Sequence, residues 1–153
     1  MTKRQEFTVL KTYPGFELRE YKPCVIAEVK SSANYSDAGS SAFGSLFSYI
    51  SKGNKAEQAI AMTAPVITAK RFDNLTEDEW FVSFVMPAGS TLADMPLPIN
   101  SKVVLRELGA EICVAASFRG KATSALSAEK ITALRAAAEK QNVALSQEVR
   151  VAR

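Results

Sequence analysis

No histidine occurs among the 153 residues of this chain, and that absence excludes more chemistry than any single motif adds. Without imidazole there is no Ser-His-Asp or Cys-His arrangement, no common general base near neutral pH, and no imidazole ligand for a metal or a haem iron. Cysteine is scarce too. Cys24 and Cys113 are too few for a disulfide framework and lack the Cys-x-x-Cys spacing of a structural zinc site. Reduced, structural thiols in a cytoplasmic protein are the expectation. No apolar run reaches the length of a membrane span, so no membrane insertion is expected. The opening Met-Thr-Lys-Arg-Gln-Glu leads into no apolar h-region, so no secretory signal is read. The net charge of +3 is small and the basic residues are scattered, which argues against a nucleic-acid partner.

Enzyme motifs are missing as well. Gly39 and Gly44 have P-loop spacing, but Ser45 stands where the lysine is needed. There is no Gly-x-Ser-x-Gly elbow. Glu17, Glu20 and Glu28 have nothing in the sequence that gathers them into one cleft. Neither a catalyst nor a metal site is expected.

What is present reads as one α+β domain over residues 1–153, with a weak internal repeat. Leu18-Arg19-Glu20 recurs 87 residues later as Leu105-Arg106-Glu107. Each copy is followed by an apolar run, Cys24–Ala27 and Ile112–Ala115, and then by a helical pattern. In the first helix Phe43, Leu46, Phe47 and Ile50 fall at i, i+3, i+4 and i+7, one apolar face, with Ser36 and Asp37 as cap candidates and Gly53 as the stop. In the second, Ile131, Leu134 and Ala138 repeat the stripe behind Ser127 as cap, with Glu129 in the first turn. Strands are expected over Ile60–Ile67, Trp80–Met86 and Val143–Val151, the last facing the core with Val143, Leu145, Val149 and Val151. Pro87–Ser101 reads as a connecting loop, and Glu77-Asp78-Glu79 as a solvated one. Two such ββαβ-type halves, about 7–86 and 102–153, predict an antiparallel sheet with two helices packed on it and pseudo-twofold symmetry.

Five pieces in order then carry a resemblance: Tyr13–Tyr21 with Pro23, the helix end Ser48-Tyr49-Ile50, the Gly53-Asn54 turn, and Met62-Thr63-Ala64-Pro65-Val66. Together they resemble the SOUL family of haem-binding proteins over nearly the whole chain. The resemblance implies a twisted, barrel-like antiparallel sheet flanked by two helices. It also implies reversible, non-enzymatic binding of haem or another tetrapyrrole in an apolar groove, as buffer, carrier or sensor. Some members ligate iron with histidine, which this chain cannot do. Members usually continue past the last strand with an aromatic, Pro-rich segment, whereas this sequence ends at Val149-Arg150-Val151-Ala152-Arg153.

Under that resemblance the candidate haem-binding residues are Phe43, Leu46, Phe47 and Ile50 as a groove wall, Met62 as a thioether near iron, and Lys52 and Lys55 as partners for propionates. The same helix face could instead pack on the sheet, Met62 could fill the core, and the lysines could be a solvated helix end. Tyr49, Tyr21, Met86, Met95 and the two cysteines are further, weaker candidates for the axial position, and the axial ligand stays open. Two other functions remain beside haem binding. One is a pocket for amphipathic or cationic small molecules without iron chemistry. The other is a protein-partner module using the Leu92–Ile99 loop or an exposed sheet edge.

Overall fold

A computed structural model describes residues 3–31, 35–70, 80–121, 123–146 and 148–153. In chain order the elements are β1 (Lys3–Arg4), β2 (Phe7–Tyr13), β3 (Phe16–Tyr21), β4 (Cys24–Ser31), α1 (Tyr35–Ile50), β5 (Thr63–Lys70), β6 (Trp80–Val85), β7 (Val104–Leu108), β8 (Glu111–Ala115), α2 (Ser124–Lys140) and β9 (Val149–Ala152). A short 3-10 turn, Leu92–Asp94, lies between β6 and β7. One sheet runs β1-β5-β6-β4-β7 with β9 also on β5, and a second runs β2-β3-β8. The architecture is α+β, and no described helix is long and apolar enough to cross a membrane.

The two sheets share a spine. Pro23, which has no N–H to donate, stands in the gap between β3 and β4. Tyr21 faces Glu111 on one side of the gap, and three residues on, Cys24 faces Leu108. One antiparallel register therefore continues through both ladders. Moving each partner by 87 residues turns Ala27↔Leu105 into Leu18↔Val114, so the two ladders are related by the same offset as the repeated tripeptide.

The sheet twists and curls but does not close into a barrel. Among the described residues β8 pairs only with β3 and β9 only with β5. What crosses between β8 and β9 is Arg150, whose guanidinium donates to both carboxylate oxygens of Glu111 at 2.6 and 3.1 Å.

Strand alternation sorts the core into two faces. Val25, Ala27 and Val29 of β4 and Val82 and Phe84 of β6 meet Ala42, Leu46, Tyr49 and Ile50 of α1. The opposite face buries Ile26, Ile67, Ala69 and Val85, with Cys24, Phe81 and Leu108 packed around them. The helix stripe thus centres on 42, 46, 49 and 50 rather than on 43, 46, 47 and 50. Ala42 adds no bulk to an apolar pattern, and Tyr49 is polar at one end, so a count of large apolar residues pulls the stripe toward the two phenylalanines.

α1 ends in a Schellman turn. The Gly53 N–H reaches back to Ser48 O at 2.8 Å, and the left-handed residue is Lys52, at φ 79°. Gly53 is needed for space, since a Cβ there would sit 2.4 Å from Ser48 O. Asn54 then ties the turn down. Its fully buried side chain donates to the Tyr49 and Gln58 carbonyls at 2.9 and 2.8 Å and accepts from the Gln58 N–H at 3.0 Å.

Four sequence expectations shift. Ser36 and Asp37 lie inside α1, which starts at Tyr35. α2 starts a turn earlier than expected, because Thr123 and not Ser127 caps it, accepting from Leu126 N–H at 3.2 Å; Ser127 is buried and Glu129 falls outside the first turn. The strand expected over 60–67 runs instead over Thr63–Lys70, with a register shift around Pro65, which cannot donate to the ladder. The strand expected over 143–151 contracts to Val149–Ala152, since Val143 closes the α2 terminus by donating to Ala138 O at 2.9 Å and Leu145 is exposed. Glu77-Asp78-Glu79 lies outside the described residues.

Candidate functional site

α1 rests on β4 and β6, and only part of its apolar surface fits beneath it. Phe43 and Phe47, one turn apart, lie on a flank; Ser45 lies on the other, where Asn100 Nδ2 reaches Ser45 Oγ at 3.4 Å. The phenylalanine flank therefore faces β6 and β5. Phe43 meets Phe84 of β6 edge-on at 5.2 Å and 64°, and stacks on Phe47 at 5.9 Å and 14°. The two rings remain 39% and 51% exposed. Val66, the ladder partner of Phe84, and Met62 just before β5 are half-buried against the same core. Together these residues form an apolar shelf beside α1. Large aromatic rings left half in water, stacked and backed by a packed core, are the surface on which a flat apolar ligand gains most.

The other candidates fall elsewhere. Leu46 and Ile50 are buried between helix and sheet, 0% and 6% exposed. Lys52 and Lys55 are exposed at the end of α1, where the Lys55 N–H donates to Leu97 O at 2.8 Å and the Ile99 N–H to Gly53 O at 3.3 Å. That ties them to the Pro-rich loop rather than to the phenylalanine flank. Tyr49 is buried, and its hydroxyl donates to Pro96 O at 2.7 Å; burial raises its pKa and keeps it a phenol. Tyr21 OH accepts from Arg19 at 3.0 Å. Met86 is in the core and Met95 packs against it. Burial pushes both cysteine thiols up, so neither is poised as a thiolate ligand. Among the described residues no group of His, Cys, Asp or Glu could hold a metal ion.

The opposite face of the sheet carries paired charges, of which Glu28 is buried. Arg106 donates to Glu28 at 3.1 Å, and Arg150 adds Glu148 at 3.4 Å to its bidentate pair with Glu111. Glu28, Arg106, Glu148 and Arg150, with Ile26, Ile67, Ala69, Ser83 and Leu108, line a cleft of only about 10 Å³. That is the room of about one water, too little for an organic ligand among the described residues of this cleft.

The model of the SOUL haem-binding protein family matches residues 2–153. The chain belongs to the SOUL family. No curated protein matches it. Among solved structures, the crystal structure of the EcmrR C-terminal domain is similar over 82% of this chain and 74% of that one, with a TM-score of 0.60 and 12% identity. At that identity the likeness speaks for the fold alone.

The residues of this SOUL chain suit the plane of a porphyrin better than its iron. Phe43 and Phe47 offer flat apolar area, and Met62 brings a soft thioether to the same side of the sheet. No imidazole exists to bind iron, and the Tyr49 and Tyr21 hydroxyls are engaged within the protein. Two members of the shelf, Val66 and Phe84, follow from strand periodicity: Phe84 alternates with Val82 toward α1, and Val66 pairs with it.

Proposed function

We propose that this protein binds haem or a related tetrapyrrole reversibly and without turnover, with the ring lying on the shelf of Phe43, Phe47, Met62 and Val66. The observation that supports it is the stacked phenylalanine pair, half exposed on a helix whose other described large side chains, Leu46, Tyr49 and Ile50, are buried, in a chain of a haem-binding family. Apolar contact dominates this mode. Bound haem brings a redox-active iron, and the protein's part is to hold the ring and keep water from one of its faces. Leu46 and Ile50 act from beneath as the floor that fixes the helix, and Lys52 and Lys55 are left out of the binding surface. The same proposal takes residues 1–153 as one domain built from two related halves, on the strength of the shared 87-residue offset of its ladders.

Titration with haemin and, in parallel, with metal-free protoporphyrin tests this directly. Saturable one-to-one binding of both is expected at low micromolar concentration, followed by the Soret band and by quenching of Trp80, the single tryptophan. Binding of haemin alone would move the interaction from the ring to the iron. Saturation by neither would remove the tetrapyrrole reading.

One observation favours a second reading, the partner module. Leu97 and Ile99 are 62% and 66% exposed, yet their backbones are pinned to the 53–55 turn and Tyr49 clamps the neighbouring Pro96 carbonyl. An exposed apolar tip held this firmly suits a docking contact. The pocket for amphipathic or cationic small molecules has less support on the charged face of the sheet, where the cleft holds only about 10 Å³.

A further inference from the structure

The smaller sheet leaves β2 as a bare edge, and we infer that a second copy of this chain docks there, the two β2 strands pairing antiparallel about a twofold axis at Thr8. The sheet runs β2-β3-β8, and among the described residues nothing pairs with the outer side of β2. Residues 7–12 are all exposed, with Phe7, Val9 and Leu10 at 42%, 41% and 46%. Large apolar side chains on an unpaired strand edge are surface that another strand covers. Tetrapyrrole binding plays no part in this contact.

The ladder shows which backbone groups face outward. Tyr13 and Phe16 meet across Pro14-Gly15, and in a two-residue hairpin that closing pair exchanges hydrogen bonds. Counting back through Lys11↔Leu18 and the register shift between Val9 and Lys11, the next bonded pair is Thr8↔Glu20. From the other end the Lys22 N–H donates to Glu6 O at 3.4 Å, which agrees. Phe7, Val9 and Thr12 therefore turn their N–H and C=O groups away from β3. Phe7 and Val9 are one regular step apart, whereas the bulge at Leu10 breaks the step to Thr12. The regular stretch is centred on Thr8. An axis there sets Phe7 opposite the partner's Val9 and Val9 opposite the partner's Phe7, each pair exchanging both backbone hydrogen bonds.

The side chains suit the same axis. Phe7 and Val9 share a face with Tyr21 and Arg19; the Arg19 guanidinium lies over the Phe7 ring at 4.2 Å and the Tyr21 ring is 5.2 Å away, which holds Phe7 in place. An aromatic ring opposite a β-branched residue is a favourable cross-strand pair, and the axis makes it twice. The other face carries Glu6, Thr8 and Lys11. Thr8 meets the partner's Thr8. The bulge brings Lys11 opposite the partner's Glu6, so ammonium meets carboxylate at both ends. Glu6 already takes Lys22 at 2.7 Å in its own chain, and its exposed carboxylate has acceptor sites for both. A lysine and a bulge commonly guard an edge strand. Here both lie beyond the Phe7–Val9 stretch, so they end the pairing and fix its register. The contact is short, under the roughly 800 Å² per partner of a stable complex, so the dimer is weak.

Sedimentation velocity of the full chain without ligand tests this. A monomer–dimer equilibrium is expected, with Kd on the order of 100 µM. Glu6→Lys and Lys11→Glu, which set like charges opposite each other, should each weaken it about tenfold. An equimolar mixture of those two variants should associate again, because every cross-axis pair is then complementary. Val9→Pro removes an outward N–H that the β2–β3 ladder does not use, and association should be lost. Far-UV circular dichroism checks that β2 survives the proline, and the exposed charge variants keep the test decisive if it does not. A chain that stays monomeric to about 1 mM would overturn the inference. So would a dimer indifferent to these substitutions, or a mixture that associates no better than its components.

Discussion

Replacing Phe43 and Phe47 together by serine is expected to weaken porphyrin binding about a hundredfold while leaving the protein folded. Each ring, covered by a flat ligand, removes apolar area worth roughly 1.5 kcal/mol, and the pair therefore roughly 3 kcal/mol, which is about two decades in affinity. The variant also loses stability, since each ring is covered by the protein over about half of its surface, Phe47 stacking on Phe43 and Phe43 meeting Phe84 edge-on, a cost of roughly 2 kcal/mol per ring. Fluorescence titration and urea denaturation of the same samples separate the two effects. A double variant that binds like wild type would take the ring off this flank of α1. A double variant that fails to fold would show that the phenylalanines belong to the core after all.

The converse result is expected for Leu46→Ala. Leu46 is completely buried between α1 and the β4–β6 face, among Val25, Ala27, Val82 and Phe84. Deleting it removes three carbons from a packed interior and leaves a cavity, a combination that costs about 3 kcal/mol. The urea midpoint should fall accordingly, while the fraction that remains folded binds porphyrin close to normally. A loss under about 1 kcal/mol would mean that Leu46 is not the floor of the helix. A large loss of affinity with little loss of stability would return it to the binding surface. The two variants, one turn apart in places, thus separate the half of the apolar face that holds the fold from the half that waits for a ligand.

That division was only partly legible in the sequence. Helical spacing located α1 and named Leu46 and Ile50, but spacing treats every large apolar residue on a helix as one face. The true inward set includes Ala42, too small to register, and Tyr49, whose ring is core and whose hydroxyl reaches Pro96 O. Rotating the stripe by one flank is what exposes the phenylalanines. The sheet was legible where a short run is apolar and rich in aromatic and β-branched residues, as in Trp80–Val85. It was less legible where tertiary partners decide. Thr63–Lys70 is placed by Val85 on one side and by β1 and β9 on the other, and no local signal reports that. Lys52 and Lys55 were nearer in sequence to the Met62–Val66 motif, yet the turn at Gly53 turns their backbone toward Leu97 and Ile99.

The family match explains why a chain without histidine can still be read as a tetrapyrrole protein, since the ring rather than the metal offers most of the contact area. It also shifts attention from the usual ligand atoms to carbon. On this account the Tyr49 hydroxyl, the two protonated thiols and the buried methionine Met86 hold the fold, and recognition is carried by surface that a search for metal donors passes over.

The most direct measurement is a map of amide and methyl chemical shifts on adding metal-free protoporphyrin, which lacks a paramagnetic iron and so perturbs only what it touches. The largest changes are expected at Phe43, Phe47, Met62 and Val66, with Leu97 and Ile99 unmoved. Changes centred on Leu97 and Ile99, or spread without a centre, would contradict it.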